Sequence, residues 1–146
     1  MAGNSLQYLT PNDWILIGAK AKRRLFVLGD EIIREGVQGE AIYIIRRGTA
    51  SVEVPGSHSA TVLAWLGEGD VCGDMAFIEG GQATASVIAK DESIEADEIL
   101  AKDLRDLFDN FPGLASRFYQ SLTLILAQRL RDTSRELVRV ISSARS

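Results

Sequence analysis

Between Gly29 and Leu100 the chain is cut into short β-type segments by glycine turns at Gly29-Asp30, Gly36, Gly39, Gly48, Gly56 and Gly67 through Gly69-Asp70. That rhythm is all-β. In Ala50-Ser51-Val52-Glu53-Val54 polar and apolar residues alternate, which places Ala50, Val52 and Val54 on one face, whereas Ile42-Tyr43-Ile44-Ile45 reads as buried on both sides. Pro55-Gly56 turns a hairpin into Thr61 to Leu66. The expected fold is mainly β with flanking helices: an antiparallel double-sheet β-roll (jelly roll), the natural packing for this many short antiparallel strands.

The flanks change period. Thr10 can cap a helix, and Pro11 at its first position gives up an N–H that would be unpaired anyway, so an N-terminal helix is expected over 9–19, fading near Gly18. The basic run Lys20, Lys22, Arg23 and Arg24 that follows reads as a solvated face leading into the roll, 22–100. C-terminal helices are expected over 101–143. Asp103 is expected to start one turn, with Leu104, Leu107 and Phe108 on one face, until Asn110-Phe111-Pro112-Gly113 interrupts it. From Leu114 the positions Phe118, Leu122, Ile125, Leu126, Leu130, Leu137 and Val140-Ile141 keep helical spacing. Beyond Gln128 only a narrow stripe of Leu130, Thr133, Leu137 and Val140 remains, the width of a two-helix seam, so a homodimer through this helix is expected.

With 146 residues and 46% hydrophobic content, one well-buried core and one domain, 1–146, are expected. A net charge of −4 supplies no general basic field for nucleic acid. No stretch approaches the roughly 18 apolar residues of a membrane span and no leader is visible at Met-Ala-Gly-Asn-Ser, so a cytoplasmic, non-membrane protein is expected. The single cysteine, Cys72, reads as a small buried apolar residue.

One stretch carries candidate chemistry. From Gly73 to Val87, Gly-Asp-Met-Ala-Phe-Ile-Glu-Gly-Gly-Gln-Ala-Thr-Ala-Ser-Val, a glycine allows a sharp turn and Asp74 caps or opens a short helical turn with free N–H groups. A Gly-Gly pair then reverses the chain, and a strand from Ala83 carries two hydroxyls, Thr84 and Ser86, beside the same spot. Such a turn suits phosphate.

Gly73-Asp74-Met75-Ala76-Phe77, then Ala83-Thr84-Ala85-Ser86, resembles the phosphate cassette of the cyclic-nucleotide-binding domain family, Gly-Glu-aliphatic-Ala-Leu followed by Arg-Ala-Ala-Thr or Arg-Ser-Ala; the likeness runs from about Leu9 to Leu137. The resemblance implies a β-roll and a cyclic nucleotide, cAMP or cGMP, held by Gly73, Asp74, Met75, Ala76, Ala83, Thr84 and Ser86, with no covalent cofactor. Two positions depart from it. The family glutamate that accepts from the ribose 2′-hydroxyl falls on Asp74, and the family arginine that pairs with the phosphate falls on Ala83. A charge-assisted hydrogen bond contributes roughly 1.5 to 3 kcal/mol, so loss of that arginine weakens binding by about tenfold to a thousandfold. A helix terminus, at roughly 0.3 to 2 kcal/mol, does not replace it. Ala127-Gln128-Arg129-Leu130-Arg131-Asp132-Thr133-Ser134 is similar to the dimerisation helix of the family's bacterial activators, in which a Thr-Ser pair contacts the adenine; Thr133 and Ser134 occupy those positions. The DNA-binding helix-turn-helix of such activators would begin beyond this helix, so no DNA-binding domain is expected within the sequence.

Enzymatic alternatives find little support. A metal-binding cupin needs several histidines with a carboxylate, and the one histidine, His58, lies in the turn-like Gly56-Ser57-His58-Ser59. No Gly-x-Ser-x-Gly elbow appears. Two functional readings remain: a non-catalytic sensor that passes ligand binding to the C-terminal helix, and an interaction or dimerisation module that kept the fold and lost the nucleotide.

Overall fold

The structure, a computed structural model, describes residues 6–56 and 58–145. The N-terminal run 1–5, Ser57 of the histidine turn and Ser146 lie outside it. A reciprocal capping box starts the first helix, α1 (Pro11–Lys20): the Asp13 N–H donates to the Thr10 hydroxyl at 3.1 Å, and the Thr10 N–H donates to the Asp13 carboxylate at 3.0 Å. The helix passes through Gly18 without fading and ends where Ala21 turns extended, its N–H still bonded to the carbonyls of Ile17 and Gly18.

Eight strands follow: β1 (Lys22–Val27), β2 (Glu31–Ile33), β3 (Ala41–Arg47), β4 (Ala50–Val54), β5 (Thr61–Leu66), β6 (Val71–Cys72), β7 (Ser86–Ala89) and β8 (Ser93–Leu100). They form two four-stranded antiparallel sheets, ordered β1-β8-β3-β6 and β2-β7-β4-β5. This is the β-roll with flanking helices that the glycine spacing predicts. Alternation along β3 divides the core in two. Ile42 and Ile44 face the helices with Val71 and Ile99, while Ile45 faces the roll interior with Phe26, Cys72, Val87 and Ala96. The strand is therefore buried on both sides, as its apolar run requires.

Between β6 and β7 lies a short helix, α2 (Asp74–Glu79), and two helices close the chain, α3 (Ala101–Asn110) and α4 (Pro112–Arg145). The helix α3 begins ahead of Asp103, because the Ala101 N–H donates to the Glu40 carbonyl at 2.8 Å and β8 runs directly into it. Only Phe111 separates α3 from α4, at the expected Phe-Pro break. In α4 the side chains of Leu114, Phe118, Leu122 and Ile125 are buried against the outer face of the first sheet and α3. From Leu130 onward every described residue is exposed. At ~1.5 Å per residue its 34 residues span about 51 Å, so the distal half projects from the roll.

Candidate functional site

The cassette is anchored by a glycine whose place strains any side chain. Gly73 sits at φ +85°, and a Cβ there would lie 2.7 Å from the Ala41 carbonyl oxygen and 3.3 Å from Ile33 Cδ1. It is the residue before the first turn of α2, so the chain reverses against β2 and β3 just where the helix N–H groups become free. The close of α2 is held by Gly80, whose N–H donates to the Ala76 carbonyl at 2.8 Å. Ala76 is buried against the Gly39 turn, where an added Cβ would come within 2.5 Å of its own.

Asp74 opens α2 and is only 2% exposed. It does not cap the helix. Its carboxylate receives Arg129 Nη1, at 3.0 Å on Oδ2 and 3.3 Å on Oδ1, while Arg129 Nη2 donates to the Val71 carbonyl at 2.6 Å. A carboxylate this buried requires such a partner. The ion pair joins the cassette directly to α4, a contact 55 residues distant in sequence. Phe77 makes a second connection, packing edge-on against Phe108 and Phe118 and stacking on Tyr119. Met75 projects outward and is exposed.

The far wall comes from the segment entering β7. Ala83 is half-buried with its backbone fully engaged: its N–H donates to the Val37 carbonyl at 2.9 Å and its carbonyl accepts from Gly36 at 2.8 Å. The Ser86 hydroxyl accepts from the Glu35 N–H at 3.0 Å. Thr84 is exposed. Ile33 links the two halves of the cassette, since it pairs with Val87 in the sheet and its Cδ1 lies beside Gly73. Thr133 and Ser134 stand one helical turn beyond Arg129 on the exposed part of α4, and neither hydroxyl has a hydrogen-bond partner among the described residues.

Arg129 is the site residue that sequence reasoning missed. The one available signal is that Gly73 to Val87 contains two carboxylates, Asp74 and Glu79, and no cation, so a buried acid there needs an outside partner. Cys72, next to the cassette, is buried, and its thiol is pushed up to about 12 by burial and by the nearby Asp74 carboxylate, which leaves it unreactive. Among the described residues there is no group of three or more side chains that could hold a metal ion, and His58 is exposed. No helix among them is long and apolar enough to cross a membrane. A separate cavity of about 320 Å³ lies between α1 and the first sheet, bounded by Trp14, Ile17, Ile44, Arg46, Asp97 and Ile99, and contains no cassette residue.

The architecture is a β-roll with a short helix bounded by left-handed glycines and joined by an ion pair to a long C-terminal helix. The model of the cyclic nucleotide-binding domain matches residues 23–111. The chain is 33% identical over 137 residues to cyclic GMP-binding protein C of Dictyostelium discoideum, covering 88% of this chain and 5% of that protein. It is 31% identical over 144 residues to the cyclic AMP receptor protein of Thermus thermophilus, covering 94% of this chain and 62% of that one. The crystal structure of the Thermus thermophilus catabolite activator protein superposes with a TM-score of 0.74 at 27% identity, over 92% of this chain and 62% of that one. The chain belongs to the cyclic nucleotide-binding domain family. It spans less than two thirds of both curated relatives, and their names point to different nucleotides.

Proposed function

We propose that the chain is a sensor domain that binds a purine cyclic nucleotide, cAMP or cGMP, at Gly73, Asp74, Met75, Ala76, Ala83, Thr84 and Ser86, and reports occupancy through α4. The observation that carries this reading is the Asp74–Arg129 ion pair: the carboxylate to which the family resemblance assigns the ribose hydroxyl is also the one that holds α4 to the cassette. A ligand that hydrogen-bonds Asp74 changes the balance of that pair, and so binds one position of α4 better than another. Thr133 and Ser134, one turn along from Arg129 on the exposed part of α4, are the residues this reading assigns to the base. The exposed apolar stripe of α4 supports a homodimer as the working form.

Ala83 favours a second reading, an interaction module that kept the roll and lost the nucleotide. Thermal denaturation with millimolar cAMP or cGMP separates the two, because a ligand at 100 times its dissociation constant stabilises by about 2.7 kcal/mol. A rise in Tm with either nucleotide supports the sensor. No rise with either supports the interaction module.

A further inference from the structure

We infer that Arg129, carried on α4, supplies the counter-charge for the ligand phosphate that position 83 lacks. The inference rests on the sensor reading and assigns a role within its site. Gly73 to Val87 presents formal charge only as Asp74 and Glu79, so an anion approaching the cassette meets like charge unless a cation enters from elsewhere. Three arginines come near. Arg34 belongs to the turn facing Ala83, but its side chain is largely exposed and pairs with Glu31. Arg105 lies over the Phe77 ring at 5.4 Å. Arg129 alone of the three bonds a cassette carboxylate, and Asp74 and Val71 together fix its guanidinium at the mouth of α2.

Two features make Arg129 suitable beyond its charge. Its bonds run from Nη1 to Asp74 and from Nη2 to Val71, which leaves the Nε–H and a second Nη2 hydrogen uncommitted. Its side chain is 32% exposed, so those donors are not sealed in the core. The pair neutralises Asp74, the buried one of the two cassette carboxylates, and a planar fork with free N–H donors suits phosphate oxygens. Placing the cation on α4 also makes phosphate recognition and helix position one event, whereas an arginine at position 83 would hold phosphate without touching α4.

The test compares cyclic nucleotides with nucleosides, which lack the phosphate. Calorimetric titrations of the full chain with cAMP, cGMP, adenosine and guanosine are made on the parent, on Arg129→Gln, and on Arg129→Gln with Ala83→Arg. Arg129→Gln is expected to lower cyclic-nucleotide affinity at least about tenfold while leaving nucleoside affinity unchanged, and Ala83→Arg is expected to restore the preference. Removing Arg129 leaves Asp74 buried and unpaired; if that variant does not fold, Asp74→Asn with Arg129→Gln is compared with Asp74→Asn alone and must show the same selective loss. An Arg129→Gln protein that binds cyclic nucleotides like the parent, or loses nucleotide and nucleoside by the same factor, overturns the inference and leaves the sensor reading standing. A parent that binds neither cyclic nucleotide overturns both.

Discussion

Arg117 on α4 donates to both carboxylate oxygens of Asp13 on α1, Nε to Oδ2 at 2.6 Å and Nη2 to Oδ1 at 2.8 Å. Asp13 is buried and already part of the capping box that starts α1, so one carboxylate both begins the N-terminal helix and ties it to the C-terminal one. One turn along α4 the Ser121 hydroxyl accepts from the Tyr8 N–H at 3.0 Å. Three turns beyond Arg117, Arg129 grips the cassette. A single helix thus holds both the N-terminal segment and the candidate ligand site.

Hydrogen bonds from Arg117 and from Thr10 hold the Asp13 carboxyl down at about 2, below its usual 3.8, with burial opposing them. A carboxylate whose folded-state pKa is depressed contributes stability that is fully present above the unfolded value and is lost as pH falls through the folded one. Asp13→Asn should therefore lower stability at neutral pH and flatten the loss between about pH 4 and pH 2. Thr10→Ala, which removes the cap and only the smallest of the contributions that hold Asp13 down, should cost about 1 kcal/mol and leave the shape of the acid limb nearly unchanged. Urea unfolding at stepped pH checks both, and an Asp13→Asn profile parallel to the parent's would remove the ion pair from the acid limb.

Gly73→Ala tests the cassette backbone. The substitution meets a left-handed φ, at roughly 1 to 2 kcal/mol, together with the contact to the Ala41 carbonyl oxygen, so a total near 2 to 4 kcal/mol is expected. Gly80→Ala shares the left-handed φ, but nothing lies within 4 Å of its added Cβ, and it should cost only the first part. Equal losses in the two variants, measured by thermal unfolding, would show that the close approach at Gly73 relaxes freely.

Ala83→Arg asks whether the cassette keeps its shape. The backbone bonds of Ala83 to Val37 and Gly36 do not depend on its side chain, and the residue is half-buried, so the variant should fold. Affinity for cAMP or cGMP should rise at least about tenfold. Asp74→Glu should add less, a bond to a neutral hydroxyl being worth roughly 0.5 to 1.5 kcal/mol. If the double variant folds yet binds neither nucleotide better than the parent in calorimetry, the cassette is no longer a cyclic-nucleotide site and the interaction module is preferred.

The parts of the molecule legible in its sequence are those that local chemistry decides. Glycine spacing between Gly29 and Leu100 marks the strands, the apolar run Ile42 to Ile45 marks the shared central strand, and Phe111-Pro112 marks the break before α4. Contacts that decide the site are not local. Nothing in the spacing of Asp74 and Arg129, or of Asp13 and Arg117, distinguishes these arginines from the others in the chain; tertiary packing selects them by burying one carboxylate in each pair. The same cause moves smaller details. Ser86 turns its hydroxyl to the Glu35 N–H, and α3 starts early because the Glu40 carbonyl is waiting for Ala101.

The distal half of α4 is the clearest surface without a partner. Leu130 is 68% exposed and Leu137 58%, and Val140 and Ile141 extend the same side of the helix. Thr133 interrupts the stripe between them, as a lone polar residue does when it sets the register of two helices. A projecting apolar stripe in water favours association, so the chain should sediment as a dimer at micromolar concentration. Leu130→Asp with Leu137→Asp should convert it to a monomer by placing like charges in the seam. Because both residues are exposed in the single chain, that monomer should retain its roll, with stability within about 0.5 kcal/mol of the parent protomer after the contribution of association is allowed for. Sedimentation equilibrium and urea unfolding over a range of protein concentrations read the two quantities separately. A parent that is already monomeric, and whose mass and unfolding are unchanged by the double substitution, would show that α4 does not pair with its own copy.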